Sequence, residues 1–155
     1  MLSQYQHIQV SVDGSKEADL AFSKAAAIAK RNHASLDILH VIDTRSFQNV
    51  SSFDSAMVEQ VSSDAKKRME EYSDRAKKAG ISEVHYSIEF GSPKTIIAHD
   101  FPSKHNIDLI VVGATGLNAV ERLLIGSVTE YVTRTANCDV IVCRTKEVED
   151  ALSAE

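Results

Sequence analysis

Hydrophobic positions along the chain switch repeatedly between strand spacing and helical spacing. Ile8, Val10 and Val12 alternate with His7, Gln9 and Ser11, which predicts a first strand ending at Asp13-Gly14-Ser15. Ala18, Ala21, Phe22, Ala25, Ile28 and Ala29 then fall on one helical stripe. Ser15 is the expected N-cap of that helix, Glu17 and Asp19 suit its first turn, and Lys30-Arg31-Asn32 suit its end. A stripe so rich in alanine can sit close against a sheet.

Leu36 to Ile42 predicts the second strand, and Asp43 to Asp54 reads as a long surface loop that could serve as a lid. Val58, Val61, Ala65, Met69, Tyr72, Ala76 and Ala79 define the next helix, closed by Gly80, with Glu71–Arg75 and Asp74–Lys78 as expected ion pairs. Its Met and Tyr stripe reads as core packing. Val84, Tyr86, Ile88 and Phe90 alternate with polar residues, the pattern of an edge strand. Gly91-Ser92-Pro93 opens a third helix, with Ser92 as N-cap and Pro93 at the first helical position, and Pro102 is expected to end or kink it. The unbroken run Leu109 to Val112 predicts a central strand covered on both faces. A fourth helix starts near Ser127, and Val140 to Cys143 is the last strand.

The order β-α-β-α-β-α-β-α-β predicts an α/β fold: a five-stranded parallel sheet with helices on both faces. Ligands in such sheets sit beyond the C-terminal strand ends, where the winding reverses. Asp13, Val41-Ile42 and Gly113 all fall at such ends.

Size and composition narrow the picture. With 155 residues, residues 1–148 make one domain and 149–155 an acidic flexible tail. A formal charge of −5 argues against general affinity for nucleic acid or anionic membrane. No apolar run approaches a membrane span and the first residues lack a signal-peptide pattern, so a cytoplasmic location is expected. Cys138 and Cys143 read as reduced apolar fillers on opposite faces of one strand.

The chemistry gathers in one block. Val111-Val112-Gly113-Ala114-Thr115-Gly116 ends a buried strand, and Leu124-Ile125-Gly126-Ser127-Val128-Thr129-Glu130 opens a helix. Strand end, glycine-bearing loop and helix N-terminus let backbone N–H groups converge on an anion. Ser127-Val128-Thr129-Glu130 has a second reading as a capping box, which would occupy the same N–H groups. Asp13 reads either as a turn residue or as a ligand for ribose hydroxyls or, through water, for a phosphate-bound Mg²⁺. Lys94 and Arg122 are basic residues that could meet a phosphate. A phosphate-loop lysine motif is absent, as is a dinucleotide fingerprint after strand one. The histidines at 7, 33, 40, 85, 99 and 105 show no metal spacing, and His40 reads as a hydrogen-bonded residue rather than a base.

These residues resemble the universal stress protein family over nearly the whole chain. The likeness is carried by Val12-Asp13-Gly14-Ser15, Gly91-Ser92-Pro93, Asp108-Leu109-Ile110-Val111-Val112-Gly113 and Gly113-x2-Gly116-x9-Gly126-Ser127. The last block is similar to the signature of the family's ATP-binding subgroup. The resemblance implies a Rossmann-like fold of the adenine nucleotide alpha hydrolase type. It implies ATP as cofactor, with Mg²⁺, bound by Ser11, Val12, Asp13, Val41, Gly113, Thr115, Gly116, Gly126, Ser127, Val128 and Thr129. Asp13 would contact the ribose or the metal-bound phosphates, and Val41 would offer backbone atoms to adenine. Gly126 to Thr129 would hold phosphate through main-chain N–H and hydroxyl groups. It also implies a homodimer through the last strand, residues 138–144.

Two departures stand out. Gln9 and Ser11 place polar atoms where family members carry apolar ones, which predicts a wetter pocket wall, and Cys138-Asp139 replaces a proline before the last strand. The expected function is a nucleotide-responsive dimeric module of the stress response, with at most slow ATP hydrolysis, whose downstream protein partner the sequence does not name. The alternatives are an ATPase or nucleotidyl transferase of the same fold and an interaction protein with a vestigial pocket. A phosphoacceptor receiver domain fits poorly, because Gly14 follows Asp13 and Phe90-Gly91 follows strand three.

Overall fold

Helical crossovers join every pair of consecutive strands, so all strands run parallel. The computed structural model describes residues 4–47, 55–115 and 125–144. Strands β1 (His7–Ser11), β2 (Ser35–Asp43), β3 (Val84–Gly91), β4 (Leu109–Gly113) and β5 (Asp139–Cys143) form one sheet in the order β3-β2-β1-β4-β5. Helices α1 (Lys16–Asn32) and α2 (Ser55–Lys78) cover one face. The other face carries α3 (Pro93–Thr95), a π turn (Ile96–Asp100), α4 (Phe101–His105) and α5 (Ser127–Thr135). The winding reverses between β1 and β4. The expected α/β architecture is the one observed, with β3 at one edge and β5 at the other. The predicted lid contributes a short 3₁₀ turn at Thr44–Phe47, and residues 48–54 and the tail 149–155 lie outside the described residues.

Local rules explain most helix ends. The Ser15 hydroxyl accepts from the Ala18 N–H at 3.1 Å, as an N-cap should. α1 closes on His33 in the left-handed conformation, and Gly80, at φ 101°, follows α2. The Glu71–Arg75 pair expected on α2 is not formed. Arg75 turns across the helix interface to Asp19, at 3.6 Å, with its guanidinium over the Phe22 ring. Asp19 also accepts from the Tyr72 hydroxyl at 2.5 Å.

The segment after β3 departs from expectation. Ser92 stands at the N-cap position without a side-chain cap bond, and Pro93 follows it as predicted. Pro102 does not end the helix, because helical backbone runs on to His105 and closes at Asn106. The chain accommodates the proline by widening the turn before it. The Phe101 N–H reaches back five residues to the Ile96 carbonyl. Pro102 has no N–H with which to continue that series onto Ile97. Gln9, fully buried on β1, supplies the missing donor, its Nε2 lying 3.1 Å from the Ile97 carbonyl. A polar side chain in the middle of the sheet thus serves a helix carbonyl.

Candidate functional site

At the C-terminal ends of β1, β2 and β4 lies a cavity of about 440 Å³. It straddles the winding reversal, where a doubly wound sheet opens a crevice. Leu39 and Val41 of β2, Ile97 of the π turn, Pro93 and Val112 supply apolar wall, while Asp13, Asp43 and the start of α5 supply the polar groups. The predicted residues Ser11, Val12, Asp13, Val41, Gly113, Thr115, Gly126, Ser127, Val128 and Thr129 all line this one cavity. Gly116 and Arg122 lie outside the described residues, and Lys94 is absent from the lining.

The start of α5 is where main-chain N–H groups open onto the cavity. Gly126 occupies the N-cap position at φ −61° and ψ 154°, with no side-chain cap bond, so Ser127 is the first helical residue. The capping box is therefore not formed, and Glu130 pairs with Arg134 at 3.1 Å instead. The reason is tertiary: the Gly126 N–H donates to the Ala114 carbonyl at 2.8 Å, which sets where the helix begins. First-turn N–H groups of Ser127, Val128 and Thr129 have no intrahelical acceptor and face the cavity end of the helix dipole.

Two readings of site residues change. The Thr129 hydroxyl donates to the Gly113 carbonyl at 2.6 Å, so it is engaged within the protein. Gly113 is required by packing: a Cβ there would lie 2.7 Å from the Glu17 Cβ and 3.0 Å from the Glu17 carbonyl carbon. The wetter wall is also narrower than expected. Gln9 does not line the cavity, whereas Ser11 does, and its hydroxyl has no partner among the described residues.

Both carboxylates are held by the turns that follow them. Asp13 accepts from the Ser15 N–H at 2.9 Å. Asp43 accepts from the Arg45 N–H at 3.0 Å and from its guanidinium at 2.7 Å. The hydrogen-bonded Arg45 guanidinium holds the Asp43 carboxyl below the usual carboxylate range. His40 is a structural residue as expected, since its Nδ1 lies 2.7 Å from the Val12 carbonyl and must donate to it. Sequence reasoning missed Asp43, Pro93 and Ile97. Asp43 was legible as a carboxylate ending a strand beside Asp13's strand, but its place was read as loop. Pro93 and Ile97 reach the cavity only because their helical run folds over β2.

Among the described residues no cluster of three His, Cys, Asp or Glu side chains could hold a metal ion. Mg²⁺ is commonly held by one or two carboxylates together with phosphate oxygens and water, which Asp13 and a bound phosphate would satisfy. No helix among the described residues is long and apolar enough to cross a membrane.

Fold and crevice together define a doubly wound α/β protein with a helix N-terminus opening into the crevice at its switch point. The universal stress protein family model matches residues 4–144, and the chain belongs to that family. A Staphylococcus haemolyticus protein carrying the family's name is 42% identical over 151 residues, 97% of this chain and 92% of the relative. The universal stress protein UspA from Lactobacillus plantarum is 34% identical, with a TM-score of 0.77, covering 92% of this chain and 100% of that one. A universal stress protein solved in complex with cAMP is 27% identical, with a TM-score of 0.67, covering 92% of this chain and 98% of its own.

Proposed function

We propose that this protein binds ATP with Mg²⁺ in the crevice between β1, β2 and β4 and works as a nucleotide-responsive dimer. The observation that carries the reading is the uncapped start of α5 opening onto a cavity with largely apolar walls. N–H groups of Ser127, Val128 and Thr129 take phosphate oxygens, and Leu39, Val41, Pro93 and Ile97 take the base. Asp13 would hold Mg²⁺ through water, and the ion would offset the charge of the phosphates. The relative solved with cAMP supports an adenine nucleotide as the ligand class.

β5 is a sheet edge whose Val140, Ile141 and Val142 are only partly buried, and a second copy would cover it. At the start of this edge the Asp139 carboxylate accepts from the Tyr5 hydroxyl of its own chain at 2.7 Å. The protein resides in the cytoplasm in this reading. The titratable side chains among the described lining residues are Asp13 and Asp43. The site reads as a binding module. Isothermal titration with ATP and Mg²⁺ tests it: saturable one-site binding is expected, and no heat of binding would reject the reading.

A further inference from the structure

We propose that Arg68 of α2 is the cation of this crevice, donating from its guanidinium to the outer phosphates of a bound nucleoside triphosphate. This rests on the nucleotide reading above and adds the residue that tells a triphosphate from a monophosphate. The guanidinium stands beside Gly14, in the turn between β1 and α1. A Cβ at Gly14 would lie 3.4 Å from the Arg68 Cζ and 3.6 Å from its Nε and Nη1. Gly14 adopts φ 88°, and with no side chain it leaves the guanidinium room against bare backbone. Its chain neighbours Asp13 and Ser15 both line the cavity.

The packing of α2 on α1 leaves this one cation unspent. Arg68, Tyr72 and Arg75 fall on a single stripe of α2 that runs along α1. The Tyr72 hydroxyl donates to Asp19, and Arg75 pairs with the same carboxylate at 3.6 Å while covering the Phe22 ring. Arg68, at the end of the stripe nearest the cavity, is exposed and forms no ion pair among the described residues. The described residues that line the cavity include neither lysine nor arginine. An anion bound there finds its nearest guanidinium at the β1–α1 turn.

The sheet order sets which part of the ligand this cation meets. β1 lies between β2 and β4, so its turn stands between the apolar wall given to the base and the start of α5. A monophosphate needs only that wall and the N–H groups of α5. Outer phosphates that share an ion with Asp13 lie at the turn itself, one residue from Gly14. An arginine fork suits them, because its planar donors can take phosphate oxygens in pairs.

The test titrates ATP and AMP, each with Mg²⁺, into the full chain and into Arg68→Gln and Arg68→Lys, with circular dichroism to confirm folding. Arg68→Gln is expected to weaken ATP about tenfold, the size of one hydrogen bond to a charged group, and to leave AMP unchanged. Arg68→Lys keeps the charge without the fork and should fall between. Added salt should narrow the gap for ATP between wild type and Arg68→Gln, since the cation is exposed. An equal loss for both nucleotides overturns the assignment by placing the guanidinium at the phosphate that both carry. Unchanged affinity for both in Arg68→Gln also overturns it, while leaving the nucleotide reading intact. Failure of the wild type to bind either ligand removes this proposal and the nucleotide reading together.

Discussion

The Thr129 hydroxyl donates to the Gly113 carbonyl across 2.6 Å, fastening the first turn of α5 to the end of β4. Both residues belong to the block that resembles a phosphate cradle, yet what they visibly do is hold its two halves together. The Gly126–Ala114 bond adds a second tie, and the Ala114 N–H in turn donates to the Cys143 carbonyl at 2.8 Å. The main-chain N–H groups to which the proposed function assigns the phosphate thus have their position set by these bonds within the protein.

Thr129→Val removes that tie at a residue only 6% exposed. A loss of about 1–2 kcal/mol in urea unfolding is expected, with Thr129→Ser close to wild type. An unchanged midpoint for the valine variant would show that the bond contributes nothing.

Ser127→Asp separates stability from binding. A carboxylate at the first helical position complements the dipole and is expected to stabilise by about 0.5 kcal/mol. It also occupies and repels the position meant for phosphate, so ATP affinity should fall at least tenfold, by roughly 1.4 kcal/mol or more. A variant that still binds ATP at wild-type strength would move the anion away from α5.

Gln9 and Pro102 should be energetically coupled, although they lie on different layers. Gln9→Leu strips the donor from the Ile97 carbonyl, and Pro102→Ala restores a main-chain N–H that can replace it. A double-mutant cycle by chemical denaturation is expected to give a coupling of about 1 kcal/mol, with Gln9→Leu costing less in the Pro102→Ala background. Strict additivity would show that the glutamine does not compensate the proline.

Asp37 is 7% exposed on β2, and burial pushes its carboxyl above the ordinary range, opposed by the charges of His105, His85 and His7 and assisted by Glu83. The folded state therefore holds this proton more tightly than the unfolded chain. The resulting stabilisation is present at acid pH, below the unfolded value, and is lost as pH rises through the folded one. Asp37→Asn should raise the thermal midpoint at pH 7, by less as the pH falls, and not below the unfolded carboxylate value. A lower midpoint for the variant at pH 7 would give the histidines the larger effect.

Strands, helices and many of the residues that line the cavity were legible because their signals are local. Ser15 caps α1 through a bond three residues away, and Gly80 follows α2 by its own backbone freedom. Spacing alone marked Gly113, Gly126 and Ser127 as neighbours in a βα unit. The misread positions depend on distant partners. Ser127 loses its expected cap role because Ala114 draws Gly126 into that position. Arg75 leaves Glu71 for the Phe22 ring and Asp19, a contact that exists only once α1 and α2 pack.

By itself the sequence determined the period of each segment, hence the five parallel strands and the crevice at their reversal, since side-chain spacing alone dictates which face can be buried. The tertiary structure decided which polar groups remain free to meet a ligand. A hydroxyl, amide or carboxylate can bond whatever lies within about 3 Å, and the chain does not disclose that neighbour until it folds. Thr129 was thereby turned inward, Gln9 was given to a proline's orphaned carbonyl, and Asp43 was brought from a presumed loop to the mouth of the cavity.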